Sequence, residues 1–426
     1  MDGAQNSAVI QSLLNQGAYE QALKIAGPRL ETNPDNLTAW YQVACASAHL
    51  TKSEGAITNF SHALFSLTQG GKPLWALVAL QDDLVPQSRY QQLIENLIAQ
   101  YASGNPTGGL TDLMAPCISR HSSPQQNVAQ WNDGLSRDEL NHMADSLCAV
   151  AWGQSLEQLA GNPKISYLPI FSSASPDTFR QLISALKVCH ANRGDTLVKQ
   201  GSRTIALQIM VAGSASGEMA IGKGSSAPCT VIDGGILGEE SIVTGNAETT
   251  TFIANEPCTL LQIPETTLNS MAQHDANMAR AMVMAYQQRI VFALLRHNHG
   301  LQEIDLRRRP NILRQMDPEL YESGTAVHSS AANCVAGESG CLLVFSGSIA
   351  ETDDVPSASG LIRTDSGPVY RRGDWIDLQR WTAAGSVPRV LRANENTVSL
   401  KLSRTAFHAI ISEYPQLAEA MYPLQV

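Results

Sequence analysis

The residues that could do chemistry in this chain are concentrated between Gly234 and Ala254, in the segment GGILGEESIVTGNAETTTFIA. Glycines permit turns and a close backbone approach that other residues resist. Here they precede a pair of carboxylates, Glu239 and Glu240. This corner of glycines and acids predicts a ligand pocket.

Motifs of nucleophilic, zinc-dependent and phosphate-loop catalysis are missing from the sequence: it has no G-x-S-x-G, no H-E-x-x-H and no glycine-lysine phosphate loop. Glu239 and Glu240 are adjacent, so at a helix start they would point different ways and would not flank one bond. We interpret them as helix N-terminal acids, which the macrodipole favours. His297 and His299 are two positions apart, a poor helical spacing for a shared metal. We therefore predict no enzyme and no metal site.

The stretch around the corner, residues 167 to 297, has a pattern of many short strands. Leu207, Ile209 and Val211 alternate along one predicted strand and share a face. An apolar helix is predicted over residues 276–295. Short strands, tight turns and closing helices are typical of a small β-roll or jelly roll. The glycines that separate the strand-length runs are at positions 194, 201, 213, 217, 234, 235, 238 and 245.

The order of these pieces resembles the cyclic nucleotide-binding domain of the catabolite-activator type. The landmarks are LPIF with its first helix, the turn RGDTLVKQG, a strand ending at Gly213, the Gly238-Glu239 corner and the closing helix. The resemblance implies a phosphate cassette, in which Glu239 takes a ribose hydroxyl, backbone N–H groups face the cyclic phosphate and an arginine neutralises it. The candidate ligand-binding residues are therefore Gly238, Glu239, Glu240, Ser241, Glu248, Thr249 and Thr250.

The arginine of that family falls on Glu248 in this chain. Two unit charges about 4 Å apart interact by roughly 4 kcal/mol at an effective dielectric constant of about 20, so an anion at this position opposes the phosphate. We expect cAMP and cGMP to bind very weakly. Three alternatives stay open: a dead pocket kept as a protein-interaction module, a pocket altered for another ligand such as a cyclic dinucleotide, and ordinary binding rescued by Lys223 or by a partner's arginine.

The first hundred residues are predicted to be helical repeats. Their period is 34 residues, that of the tetratricopeptide repeat, and it separates Ala22 from Ala56, Glu20 from Glu54 and Leu30 from Leu64.

Stacked helix pairs of this kind form a groove that accepts a peptide or a helix of a partner protein. The predicted groove residues include Val9, Trp40 and Val43. The alternative is that the repeats brace the β-roll of the same chain. A later helical pattern, which starts near Ser136, is predicted to pack on the β-roll.

The last hundred residues resemble a second, degenerate copy of the same β-roll. The corner RRGDWIDL has Asp377 and Leu378 in place of the Gly-Glu pair. Val387 stands at the arginine position, and Arg389 is two positions away from it. The family's phosphate arginine is therefore missing here too.

Bulk composition limits the partners. The chain has 29 Lys and Arg against 39 Asp and Glu, and turns and strands follow Arg307–Pro310 where transcription-factor relatives have a DNA-reading helix, so we predict no nucleic-acid partner. No apolar run approaches a membrane span, so we predict no membrane insertion. The eight cysteines form no C-x-x-C pair and follow no secretory leader, which favours reduced thiols in a cytoplasm.

The closing helix, residues 276–295, is apolar on two faces. Relatives dimerise through this helix, so the resemblance implies a possible homodimer. Packing of the second face against the C-terminal β-roll of the same chain is the open alternative.

The sequence thus predicts an α+β multidomain protein, with a helical tetratricopeptide solenoid followed by two cyclic-nucleotide-binding-like β-rolls. Its predicted function is that of a bacterial, cytoplasmic regulatory scaffold that binds a protein partner, and the alternative is a sensor of a cyclic nucleotide or cyclic dinucleotide. No cofactor is predicted apart from such a nucleotide. The predicted segments are repeats over 1–104, linker and helical connector over 105–166, the first β-roll over 167–309 and the second over 310–426.

Overall fold

A helical N-terminal region is followed by two β-rich regions in the computed structural model of this protein. We call them the helical region, the first β region and the second β region. The structure describes residues 2–69, 72–84, 87–102, 131, 134–159, 170–221, 225–283, 286, 316–329, 340–357, 360–378, 389–413 and 415.

The first six helices of the helical region follow one another after short connections. The Asn36 side chain caps the third helix by accepting the Ala39 N–H at 3.0 Å, and Lys52, with φ of +51°, ends it in the left-handed conformation. Pro73 opens the fifth helix, where its missing N–H costs nothing. The helices are α1 (Asp2–Asn15), α2 (Tyr19–Thr32), α3 (Leu37–Thr51), α4 (Glu54–Gln69), α5 (Pro73–Ala79), α6 (Gln87–Tyr101) and α7 (Arg137–Leu159).

Two of the three residue pairs that lie one predicted period apart have the same environment in this region. Ala22 and Leu30 on α2 are fully buried, and their counterparts Ala56 and Leu64 on α4 are each 1% exposed. The 34-residue spacing therefore corresponds to two helices that contribute equivalent side chains to one core.

Helix α7 packs across α2, α3 and α4. Its Trp152 ring stacks on His62, with 4.1 Å between centroids, and lies 6.2 Å from the ring of Trp40. Asn141 and Asp145 of α7 hydrogen-bond Ser47 at 3.1 Å and Asn59 at 2.9 Å. The prediction that this helix packs on the β-roll is wrong, since α7 covers the helical region instead.

This packing corrects the predicted groove. Trp40 and Val43 have no exposed surface, because both lie in the core of the helical region. Val9, which is 37% exposed, is the one of the three predicted groove residues that solvent reaches. Two of the three therefore cannot contact a partner in this arrangement.

The first β region contains two four-stranded antiparallel sheets, with strand orders β1-β8-β3-β6 and β2-β7-β4-β5. Helix α1 lies against β3 and β8, so Leu207, Ile209 and Val211 share a core with the helices, as the alternation along their strand predicts. The helical region thus covers one sheet of the β region. The elements are α8 (Pro176–Ala185), β1 (Lys187–Ala191), β2 (Thr196–Val198), β3 (Ala206–Ala212), β4 (Ala215–Ile221), β5 (Ser225–Val231), β6 (Ile236–Leu237), α9 (Glu239–Thr244), β7 (Phe252–Ala254), β8 (Cys258–Pro264) and α10 (Glu265–Ala272).

The second β region also contains two four-stranded antiparallel sheets, with orders β14-β11-β16-β9 and β10-β15-β12-β13. The first of these orders, written from its opposite edge, is β9-β16-β11-β14. Adding eight to each strand number of the first β region gives both orders of the second, so the two regions have the same sheet topology. The elements are β9 (Met316–Tyr321), β10 (Ala326–Ser329), β11 (Cys341–Ser346), β12 (Ser348–Ser357), β13 (Gly360–Arg371), β14 (Trp375–Asp377), β15 (Arg389–Ala393), β16 (Thr397–Leu402) and α11 (Arg404–Glu413).

An equivalent backbone hydrogen bond closes a glycine corner in each of the two β regions. In the first, Gly234 donates its N–H to Met210 O at 2.7 Å; in the second, Gly373 donates to Val344 O at 2.8 Å. Both glycines have positive φ, 81° and 90°, a conformation that other residues resist. The two corners are equivalent in geometry, although their sequences differ.

The helix that follows α10 contacts both β regions where the structure describes it, at residues 276–283 and 286. Met278 and Met282 are buried in the core shared with the helical region. Tyr286 is fully buried and packs edge-on against Phe345 of the second β region, 4.7 Å between centroids. The rest of the predicted dimer helix, like His297 and His299, lies outside the described residues.

Within the described part of the chain, no helix has the length and apolarity needed to cross a membrane. Cysteines described as free thiols are Cys45, Cys148, Cys189, Cys229, Cys258 and Cys341.

Replacing Trp152 by alanine should lower the free energy of unfolding by about 2 to 4 kcal/mol, because it removes a large ring from the contact of α7 with α3 and α4. The matched control is Val150→Ala on the same helix, where the side chain is 50% exposed. Urea unfolding followed by far-ultraviolet circular dichroism measures both variants. Equal midpoints for the two variants would contradict the role of α7 as a cover.

Candidate functional site

The predicted phosphate cassette, residues 238–250, is a short helix between two glycines followed by a return loop. Gly238 has φ of +80° and a Cβ on it would lie 2.6 Å from the Thr204 side chain, so both conformation and space require glycine here. Helix α9 runs from Glu239 to Thr244 and ends at Gly245, with φ of +73°. The loop after Gly245 then brings the remaining candidate residues back beside α9.

Glu248 turns its carboxylate to the first turn of α9. Its Oε1 accepts the Ser241 N–H at 3.1 Å and the Ser241 hydroxyl at 2.8 Å. Both backbone polar groups of Glu248 are hydrogen-bonded, since Gly201 N donates to Glu248 O and Glu248 N donates to Ser202 O, each at 2.8 Å. Only 2% of Glu248 is exposed. The anion at the start of α9 is therefore a side chain of the protein.

Glu240 faces the other side of the return loop. It accepts the Thr249 N–H at 3.1 Å and the Thr249 hydroxyl at 2.8 Å, and the Tyr286 hydroxyl donates to it at 3.2 Å. Glu240 is 1% exposed, so its charge is almost completely removed from water. A carboxylate in this environment needs a cation.

The cation is Arg372, which comes from the turn between β13 and β14 of the second β region. Its guanidinium donates to a Glu240 carboxylate oxygen and to the Thr249 hydroxyl. It also donates to Phe345 O at 2.9 Å and contacts the Tyr286 hydroxyl at 3.3 Å. Burial lowers the pKa of Arg372, but the charges and hydrogen bonds of Glu240 and Tyr286 together outweigh burial, so the pKa is raised. Arg372 thus connects the cassette to the second β region.

The remaining predicted site residues are also buried. Glu239 is 1% exposed and Thr250 has no exposed surface. In the second β region, Leu378 is 3% exposed and Arg389 is the first residue of β15, while Val387 lies outside the described residues.

The structure therefore brings together all seven predicted cassette residues, but it uses them differently from the implied nucleotide site. Glu239 and Glu240 are more than surface acids at a helix start, because both are buried and Glu240 forms an ion pair. Sequence reasoning missed Arg372. The available signal was the doubled arginine before the Gly-Asp corner at 371–374, a position that does not correspond to the family's phosphate arginine.

Acidic side chains dominate the interior of this cassette. Three carboxylates, those of Glu239, Glu240 and Glu248, are each at most 2% exposed. The Ser241 N–H that would face a phosphate already donates to Glu248. An entering phosphate would meet buried anions, and Arg372 already neutralises Glu240.

Arg372→Met should lower the free energy of unfolding by about 3 to 5 kcal/mol, since it leaves the Glu240 carboxylate buried without a cation. The double variant Arg372→Met, Glu240→Gln should recover at least about 1 kcal/mol of that loss. Arg371→Met, at the exposed neighbouring position, is the control and should change stability by less than about 0.5 kcal/mol. Chemical unfolding of the four proteins checks this, and an Arg372→Met variant as stable as the control would rule the ion pair out as a stabilising contact.

The family model "Cyclic nucleotide-binding domain" matches residues 188–275, which include the first β region from β1 to α10. No curated protein matches the chain.

Several solved structures are similar to this chain, all at low identity. One is the regulatory domain of Toxoplasma gondii PKA with cAMP, with 19% identity over 59% of this chain and 90% of that one, at a TM-score of 0.26. Another is the regulatory subunit of a cAMP-independent protein kinase A from Trypanosoma cruzi bound to guanosine, with 14% identity over 59% and 83%, at a TM-score of 0.25. A third is a cyclic nucleotide-binding domain from Methylobacillus flagellatus, with 18% identity over 28% and 67%, at a TM-score of 0.24.

With TM-scores from 0.24 to 0.26, these similarities do not indicate a ligand or a partner for this chain. The family match covers the segment that holds the cassette and leaves out the helical region and the second β region. Residues 188–275 are a cyclic nucleotide-binding domain.

Proposed function

We propose that this protein is a cytoplasmic regulatory scaffold, in which the cyclic nucleotide-binding domain joins parts of the chain and does not sense cAMP or cGMP. The observation that carries the proposal is the Glu248 carboxylate, which accepts the Ser241 N–H at 3.1 Å and the Ser241 hydroxyl at 2.8 Å. In the implied nucleotide site, backbone N–H groups of the cassette would instead face the phosphate of a ligand.

The energetics support the proposal. A hydrogen bond to a charged group contributes about 1.5 to 3 kcal/mol, and a ligand would have to displace two of them. A micromolar ligand has only about 8 kcal/mol of binding free energy. The repulsion between a phosphate and the buried carboxylates is a further cost. Together with the lost hydrogen bonds, it removes most of the binding free energy of such a ligand.

We interpret the second β region as a degenerate second copy of the first. Support comes from the matching strand orders and from the equivalent corners at Gly234 and Gly373. In this proposal the second copy contributes no ligand site, and its role is to supply Arg372 to the cassette of the first.

The helical region is proposed to be a tetratricopeptide-type module that binds a partner protein and also braces the first β region. Its 34-residue period, with buried Ala22 and Ala56 at equivalent positions, supports the repeat. The contact of α1 with β3 and β8 supports the brace. Because Trp40 and Val43 are buried, a partner would bind on the outer helix surfaces, which include Val9.

A homodimer through the helix at 276–295 is part of the proposal, as the resemblance implies. Met278, Met282 and Tyr286 are buried within a single chain, so a second chain would contact the faces that these residues leave. Analytical ultracentrifugation should give the mass of two chains, and the mass of one chain across the accessible concentration range would contradict the dimer.

The second candidate function is a sensor of a cyclic nucleotide or a cyclic dinucleotide. The family match over residues 188–275 favours it. It requires Glu248 to leave Ser241, so that the N–H groups of α9 can face a phosphate.

Isothermal titration calorimetry with cAMP, cGMP and a cyclic dinucleotide separates the two functions. We expect dissociation constants weaker than about 1 mM for the wild-type protein. Glu248→Arg should strengthen binding of cAMP or cGMP at least about tenfold, because it removes the internal anion and supplies a cation for the phosphate. Glu248→Gln keeps size and a hydrogen-bond acceptor but removes charge, so its gain should be smaller.

The control for charge reversal is Glu322→Arg, at an exposed turn of the second β region, which should leave binding unchanged. Micromolar binding of a cyclic nucleotide by the wild-type protein would favour the sensor. A folded Glu248→Arg variant without any gain would mean that the internal anion is not what closes the cassette.

A further inference from the structure

Three potential metal ligands meet in the helical region, away from the cassette. Cys45 and His49 lie four residues apart on α3, a spacing that places them on one helix face. Asp82 reaches them from the turn that follows α5. The Cys45 thiol is 3.5 Å from Asp82 Oδ2, and His49 Nε2 is 3.1 Å from the same oxygen. All three ligand atoms lie within 4.8 Å of one another.

These distances approach the edges of a metal-centred tetrahedron. Zinc binds thiolate sulfur at about 2.3 Å and imidazole nitrogen or carboxylate oxygen at about 2.0 to 2.2 Å, so tetrahedral edges are about 3.4 Å between nitrogen and oxygen and about 3.6 Å between sulfur and oxygen. The observed 3.1 Å and 3.5 Å are close to these values. The thiol sulfur and the imidazole nitrogen lie within 4.8 Å of each other.

Neighbouring groups already orient two of the ligands. The Tyr19 ring stacks on His49 with 4.7 Å between centroids and 1° between planes, which holds the imidazole plane. The Leu84 N–H donates to Asp82 Oδ1 at 2.9 Å, so Oδ2 is the oxygen turned to the cluster. Outer contacts of this kind fix ligand geometry in metal sites.

Two of the three potential ligands are partly exposed to solvent. Cys45 is buried, but the side chains of His49 and Asp82 are 17% and 15% exposed. An ion can therefore reach the ligands from solvent, and water can complete a fourth position. A mixed set of thiolate, imidazole and carboxylate is chemistry that suits zinc.

We propose that Cys45, His49 and Asp82 bind one divalent transition-metal ion of the zinc class. The ion would tie α3 to the turn after α5 and so fix the packing of α5 against the repeat helices. The site is independent of the cassette and of the proposed function. The cluster is separate from His297 and His299, whose spacing is poor for a shared metal.

Cobalt substitution tests the proposal directly, since Co²⁺ in a tetrahedral thiolate site gives visible d–d bands and a near-ultraviolet sulfur-to-metal charge-transfer band. The metal-free full-length protein is titrated with Co²⁺ and then with Zn²⁺. We expect both features to saturate at one ion per chain and to be abolished by Zn²⁺. The melting temperature should rise on addition of Zn²⁺, because an ion that binds the folded state stabilises it.

The variants His49→Gln and Asp82→Asn, both at partly exposed positions, should lose the charge-transfer band and the rise in melting temperature. Cys148→Ser and His142→Gln are matched controls, at a buried thiol and an exposed imidazole of α7, and should keep both. Circular dichroism confirms that each variant is folded. The proposal is overturned if the wild-type protein gives no charge-transfer band, or if His49→Gln and Asp82→Asn bind Co²⁺ as the wild-type protein does. Either result would leave the three residues as a hydrogen-bonded cluster only.

Discussion

The ion pair between Glu240 and Arg372 is the interaction on which the arrangement of the two β regions depends. Moving a carboxylate and a guanidinium out of water costs several kcal/mol for each ion, and only close pairing with further hydrogen bonds offsets that cost. Arg372 meets this condition because its planar group donates in several directions at once, to Glu240, to the Thr249 hydroxyl and to Phe345 O. The turn that carries Arg372 is therefore held against the cassette. What is a solvent-facing pocket in the implied nucleotide site becomes an interior contact between two parts of one chain.

At the other end of the cassette, Glu248 is likewise a group of the protein itself that takes up hydrogen-bond donors of the site. The backbone elements of a phosphate site are present, namely the positive-φ Gly238 and the short helix α9, but the Glu248 carboxylate accepts the Ser241 N–H at the start of that helix. The fold and the chemistry of its site are thus separable, and a family match over residues 188–275 identifies the fold alone. The Glu240 carboxylate of the cassette is paired with an arginine from a distant part of the chain.

Local patterns predict much of this structure. Glycine positions and strand alternation give the first β region, the 34-residue period gives the equivalent burial on α2 and α4, and the charge of Glu248 indicates an unusual cassette. Contacts between distant segments are not encoded in such patterns. Arg372 is 132 residues from Glu240, and its position does not correspond to the family's phosphate arginine. Trp40 has the sequence spacing of a groove residue, but the ring of Trp152 on α7 packs near it in the core. An apolar stripe on a helix does not specify which neighbouring element packs against it.

A crystal structure of the wild-type protein grown with millimolar cAMP tests the central claim most directly, since it shows which anion lies at the start of α9. We predict that the Glu248 carboxylate remains within hydrogen-bonding distance of Ser241 N, that the Arg372 guanidinium remains against Glu240, and that no nucleotide lies in the cassette. Electron density for a cyclic phosphate at Ser241 N, with Glu248 turned away, would contradict the account.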